Sequence, residues 1–210
     1  MIIYIANCGN REKIDYIENN NNLGLCYTPL NNRNGFKGRI FLDNGAFHYF
    51  SNNMEFICAP FIKLLKKQIN YDFAVLPDIV MGGSKSLELS KHWLEWLPSY
   101  KWYLSIQDGI TPENISPFLG HIEGIFIGGS KKWKLDNMIK WIEIAHSNGI
   151  KCHIGRFGTI PKIQYAEKNH ADSVDSSNAS KSWPAWYRLK DYVEGKEVNM
   201  RGLRKLQLAI

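Results

Sequence analysis

Short apolar runs alternate with amphipathic stretches along most of this 210-residue chain. Seven runs predict strands: Ile2–Ala6, Arg39–Asp43, Phe73–Pro77, Trp102–Ile106, Gly124–Ile127, Lys151–Ile154 and Ser173–Asp175. Most are continuously apolar or β-branched, as in strands buried on both faces of a parallel sheet. Helical patterns lie between them. Met54–Ile69 puts Ile57, Phe61, Leu64 and Leu65 on one face. Ser84–Leu97 opens on Ser84 as its cap and aligns Leu87, Trp93, Leu94 and Leu97. Trp133–His146 gathers Leu135, Met138, Ile139, Ile142 and Ala145 and stops at Asn148–Gly149, and Ile160–Glu167 makes a shorter helix. The polar, Gly-containing segment from Asn19 to Gly38 reads as loop. The alternation predicts an α/β fold with a parallel sheet, either a barrel or a doubly wound sheet. An eight-stranded barrel takes about 250 residues. A barrel here is therefore trimmed, its eighth strand lying after Val193 or missing.

The ends of the strands carry the polar residues. Leu42 runs into Asp43-Asn44-Gly45-Ala46-Phe47, Leu76 into Pro77-Asp78, and Ile106 into Gln107-Asp108-Gly109. Ile127 runs into Gly128-Gly129-Ser130, Ile154 into Gly155-Arg156, and Val174 into Asp175-Ser176-Ser177. Ligand sites of barrels and open α/β sheets form at these ends. Asp, Ser and Gly there also serve as ordinary caps and turns, but capping needs neither a Gln nor an Arg. Carboxylates at Asp43, Asp78 and Asp175 suit a reaction that protonates a leaving group and attacks carbon. An oxygen-ligand Mg²⁺ site is the lesser alternative, since no histidines cluster with them. Gly128-Gly129-Ser130 before a helix offers backbone N–H groups to a phosphate, without the lysine of a P-loop. His153 is the one histidine placed within a strand near these ends. No GxSxG elbow occurs.

Composition narrows the class. The chain is 44% apolar, 13% aromatic and 22% charged, enough for one well-buried domain over residues 1–210 without disulfides. Cys8, Cys26, Cys58 and Cys152 form no CxxC-type pair, which argues against a cysteine zinc cluster. The first residues lack a basic leader and a long apolar run, so a cytoplasmic location is the expectation. The net charge of +6 suits a polyanionic partner. Residues 181–210 hold seven Lys/Arg against three Asp/Glu, with Trp183, Trp186, Tyr187 and Tyr192 among them. That segment reads either as a track for a nucleic-acid backbone or as an amphipathic helix packed on the domain.

Six segments in order, DNGAF, LPDIV, IQDG, GIFIGGSKKWKL, CHIGRFGT and ADSVDSS, resemble the tRNA-guanine transglycosylase superfamily from about Arg39 to Trp186. Within it the chain looks most like the small phage and bacterial branch that places 7-deazaguanines in DNA. The resemblance implies a TIM-type (β/α)8-like barrel and no cofactor. It makes Asp175 the nucleophile and Asp43 the carboxylate that assists proton transfer. It implies that Phe47 stacks on the base, Asp78 and Gln107 read its edge, and Gly128 and Gly129 meet it with backbone. Arg156, His153 and Asn178 are candidates for shaping the site or holding nucleic acid. The family's Cys-Cys-Cys-His zinc module has no counterpart here, and Ser176-Ser177-Asn178-Ala179-Ser180 replaces its arginine-bearing stretch. Those elements grip tRNA, so the expected partners are DNA and a free 7-deazaguanine such as preQ0, with no membrane. Hydrolytic removal of a base by the same carboxylates, action on tRNA, a non-catalytic accessory role and a homodimeric assembly stay open at this point.

Overall fold

The structure is a computed structural model that describes residues 1–68 and 70–198. Eight parallel strands close into a barrel in chain order: β1 (Ile2–Ala6), β2 (Leu23–Tyr27), β3 (Arg39–Leu42), β4 (Ala74–Val75), β5 (Trp102–Ile106), β6 (Gly124–Ile127), β7 (Lys151–Ile154) and β8 (Ser173–Ser176). β1 pairs with both β2 and β8 and so closes the ring. Around it run α1 (Arg11–Glu18), α2 (Ala46–Ser51), α3 (Ala59–Lys67), α4 (Ser84–Trp96), the short α5 (Pro112–Ile115), α6 (Lys131–Ser147), α7 (Ile160–Lys168), α8 (Asn178–Lys181) and α9 (Trp183–Val193). Among the described residues no helix is long and apolar enough to cross a membrane.

The eighth strand is neither missing nor C-terminal. It is β2, inside the segment read as loop. Its Gly24 weakens the strand signal, yet a Cβ there would stand 2.6 Å from the Tyr4 ring and 2.8 Å from the Arg39 carbonyl oxygen. Only glycine lets Tyr4 lie across the barrel at that level. Gly124 does the same for Tyr103, at 2.5 Å. The barrel is trimmed in its connections instead: residues 28–38 carry the chain from β2 to β3 without a helix, and α5 is a single turn followed by the 3-10 segment Ser116–Phe118.

Several helix boundaries shift for local reasons. The helix expected over Met54–Ile69 begins at Ala59, with Pro60 in its first turn, so Met54 and Ile57 are exposed (Ile69 lies outside the described residues). Gly83, not Ser84, caps α4. The buried face of α6 is Lys134, Met138, Trp141, Ile142 and Ala145, rotated from the expected one, and Ile139 is exposed.

Two cores result. A shell of aliphatic and aromatic side chains fills the space between sheet and helices. Inside the barrel, Tyr4, Cys26, Phe41, Phe73, Val75 and Tyr103 form a second cluster. Phe41 stacks on Phe73 at 4.8 Å and Phe73 on Tyr103 at 3.8 Å, so this interior is mostly aromatic. At the N-terminal end Asp72 accepts from the Tyr4 hydroxyl at 2.7 Å and from both Nε and Nη2 of Arg39.

The aromatic tail divides. Trp186 and Leu189 of α9 are buried, Trp186 meeting Tyr16 of α1 edge to face at 5.5 Å. Lys13 donates to the carbonyls of Ala179 and Ser180 and lies 4.5 Å over the Trp183 ring. The packed-helix reading thus holds for Trp186 and Leu189, while Trp183 and Tyr187 of the same helix stack on each other at 5.6 Å and are exposed. Arg201, Arg204 and Lys205 lie outside the described residues.

Candidate active site at the C-terminal mouth

The aromatic interior is the floor on which polar side chains stand. Asp175 projects from β8 just above it. Its Oδ1 accepts the Arg156 backbone N–H at 2.8 Å and lies 3.2 Å from His153 Nε2. Among the described residues its Oδ2 has no hydrogen-bond partner. His153 is fully buried, stacked on Phe126 at 4.8 Å, with Nδ1 2.8 Å from the Ser173 hydroxyl. Burial lowers its pKa below the usual histidine range, against the pull of Asp175. In the neutral ring this assigns Nε2–H as donor to Asp175 and Nδ1 as acceptor from Ser173.

The turn after β7 is built to present that N–H. The Gly155 N–H donates to the Ile127 carbonyl, Lys134 Nζ donates to the Gly155 carbonyl, and the Phe157 N–H donates to the Asp175 carbonyl at 2.9 Å. Arg156 takes φ +53°, a left-handed conformation that costs a non-glycine residue energy. A Cβ on Gly158 would fall 1.9 Å from that of Ser176, so β8 and this turn are in direct backbone contact. Lys134 itself is buried, which lowers its pKa to about 8 against the opposing pull of Asp175.

Asp43 leaves β3 at the same end, and its Oδ1 accepts the Gly45 N–H at 2.7 Å. Burial raises its pKa to about 7; the Gly45 N–H opposes this, the charges of Asp175 and Asp78 add to it, and Arg156 lowers it. Both carboxylates are therefore within electrostatic reach of Asp43. A carboxyl that titrates near neutrality both gives and takes protons readily. Asp78 also has a raised pKa, from burial, although Asn44 and Ser105 donate to its two oxygens at 2.9 and 3.1 Å.

Gln107 is buried at the end of β5, with its Nε2 given to the Ile79 carbonyl and the Ser86 hydroxyl. It holds the loop that carries Asp78. Ser86 and Ser90, on the buried face of α4, fix the same loop through the Ile79 N–H and the Pro77 carbonyl. The Gly128 N–H is spent on the Ile106 carbonyl. At the start of α6, Asp108 accepts from the Ser130 N–H and hydroxyl, both at 2.7 Å. The anion expected over Gly128-Gly129-Ser130 is thus, at Ser130, the chain's own carboxylate. Gly129, at φ +71°, has no room for a Cβ beside Asp108.

Phe47, on α2, is about half exposed, and the Arg156 guanidinium lies 4.2 Å from its ring centre. Asn178 is exposed on α8, its N–H bound to the Ser176 hydroxyl at 3.1 Å. Sequence reasoning missed Lys134, Ser105, Ser173 and the serines of α4. The readable signal was a lysine four residues before Met138, on the face that the helix buries. Among the described residues no group of three or more His, Cys, Asp or Glu is placed to hold a metal ion.

Fold and site together define an eight-stranded parallel α/β barrel with a carboxylate-lined mouth. No protein-family model and no curated protein matches the chain.

Proposed function

We propose that this mouth exchanges a base in nucleic acid, replacing guanine in DNA by a 7-deazaguanine of the preQ0 type through a covalent Asp175–sugar intermediate. The observation that carries the reading is the state of Asp175: one oxygen is fixed by Arg156 and His153, and the other has no hydrogen-bond partner among the described residues. Beside it stands Asp43, a carboxyl that titrates near neutrality.

The target guanine is presented unpaired, as enzymes acting on bases require. Asp175 Oδ2 attacks C1′ of the sugar, the C1′–N9 bond breaks, and its electron pair leaves with guanine, which takes a proton from Asp43. The deazaguanine then enters. Its N9 gives a proton to Asp43 and attacks C1′, and the C1′–Oδ2 bond returns its pair to Asp175. Both carboxyls end as they began, the logic of a retaining glycosidase with a base in place of water. In this reading Asp78 reads the edge of the base and Phe47 stacks on it. The test is incubation with DNA and labelled preQ0. Label in DNA, abolished in Asp175→Ala, supports exchange. Abasic sites without label, or label in tRNA alone, would replace it with hydrolysis or a tRNA substrate. No reaction with either nucleic acid would refute it.

A further inference from the structure

The mouth has two unlike rims. On the β3–β4 side Phe47, Phe50, Met54 and Met81 are exposed. On the β6–β7 side stand three cations: Lys131 at the start of α6, Arg156 in the turn after β7, and Lys162 in the first turn of α7. Among the described residues none of the three forms a salt bridge. The carboxylates at this end have other partners: Asp43, which feels the Arg156 charge, accepts from Gly45, Asp108 from Ser130, and Asp175 Oδ1 from a backbone N–H and His153. Arg156 and Lys162 rest instead on the faces of Phe47 and Phe157, at 4.2 and 5.2 Å. That support keeps the heads in place without consuming their N–H donors. Burial lowers the Lys162 pKa, and repulsion from Lys131 and Arg156 lowers it further, so the three charges feel one another. Holding like charges together without a direct ion pair costs stability, which an arriving anion would relieve.

We infer that Lys131, Arg156 and Lys162 form a phosphate-binding arc that receives the backbone phosphate of the strand whose base enters the barrel. The choice of a polynucleotide phosphate rests on the function proposed above. A guanidinium and two ammonium groups suit the non-bridging oxygens of a phosphodiester. The arc flanks Asp175 through the Arg156 N–H, so a phosphate held there sets the sugar over the carboxylate. The two rims meet where Arg156 lies on Phe47, and the exposed apolar residues beyond it then face the unstacked bases.

The experiment measures binding of a single-stranded guanine-containing oligodeoxynucleotide at several salt concentrations, without an incoming base. The proteins are the wild type, Lys131→Gln, Lys162→Gln and Lys162→Glu. Lys131 is exposed and Lys162 half-buried, and circular dichroism verifies that the variants are folded. Each Gln change should weaken binding alike for any sequence and reduce the slope of log affinity against log salt by about 0.7. Lys162→Glu should reduce it more. Wild-type slopes and affinities in all three variants overturn the arc, as does failure of the wild type to bind at low salt. Slopes that fall as expected, with no label exchange by the wild type, keep the arc and reject the proposed reaction. Exchange by the variants with an unchanged KM for the oligonucleotide does the reverse.

Discussion

Asp43→Asn tests the electrostatics of the mouth without any substrate. The folded protein holds this carboxyl at about 7, where an unfolded chain releases the proton near 4. Between those values the unfolded state ionises first, so the native state loses stability as pH rises and bears the full penalty above about pH 7. The three-decade difference sets a ceiling of ~4 kcal/mol. Asp43 is partly exposed, so screening brings the expected penalty to ~1–2 kcal/mol. Asn keeps the oxygen that accepts from Gly45 and removes the charge. Urea denaturation should therefore find the variant equal to the wild type near pH 4, and more stable by ~1–2 kcal/mol near pH 8.5. Base exchange should fall by ~10²–10⁴-fold, because an amide carries no proton between the bases. A stability difference that stays flat with pH, or a variant that is less stable near pH 8.5, would refute the assignment.

Three further outcomes follow from named contacts. Gly24→Ala forces a methyl into the Tyr4 ring and the Arg39 carbonyl and should cost ~2–3 kcal/mol, read as a lowered melting temperature. Asp108→Ala removes the acceptor at the start of α6 and should cost ~1 kcal/mol by urea denaturation. Burial alone would raise the Asp108 pKa, but the Ser130 donors hold it below the ordinary range. The gap from the variant should therefore be complete above about pH 4 and vanish as pH falls through the lowered value. His153→Phe keeps the stack on Phe126 but removes the bond to Asp175; kcat should drop by ~10–100-fold with KM for the incoming base unchanged. A fall confined to KM would remove His153 from the positioning of Asp175.

The parallel sheet was readable because strands buried on both faces are continuously apolar, although that pattern left open a barrel or a doubly wound sheet, and six of the eight strand ends were readable because polar residues interrupt those runs abruptly. β2 escaped notice because a glycine that seats another strand's tyrosine looks locally like a loop glycine. Only the pairing of Tyr4 with Gly24 explains it, and that pair is long-range. The supporting shell escaped for a related reason. Ser86, Ser90 and Ser105 are small polar residues with many bland roles, and the donors waiting for Ser86, the loop carbonyl for Ser90 and the carboxylate for Ser105 are visible only in three dimensions. Asp43, Asp78 and Asp175 could be placed at the same end from strand order alone, but the near-neutral titration of Asp43 depends on their mutual distance and burial, which order does not specify.

Charge makes the same point in the opposite direction. The excess of Lys and Arg is densest after Lys181, which directs attention to the tail as the face for a polyanion. In the fold, the described part of that tail spends two of its large apolar side chains on the shell, leaves Trp183 and Tyr187 exposed, and commits several of its polar groups to neighbours. Trp186 and Leu189 are buried, Lys190 lies over Tyr16, and Lys196 pairs with Glu194. Three cations near the carboxylates that form no salt bridge among the described residues, Lys131, Arg156 and Lys162, come from separate places, none within a basic run of more than two residues. What binds an anion is the local field at a point, not the charge of a segment. A barrel gathers residues from successive strand ends around that point, which is why so small a local excess becomes a concentrated one at the mouth.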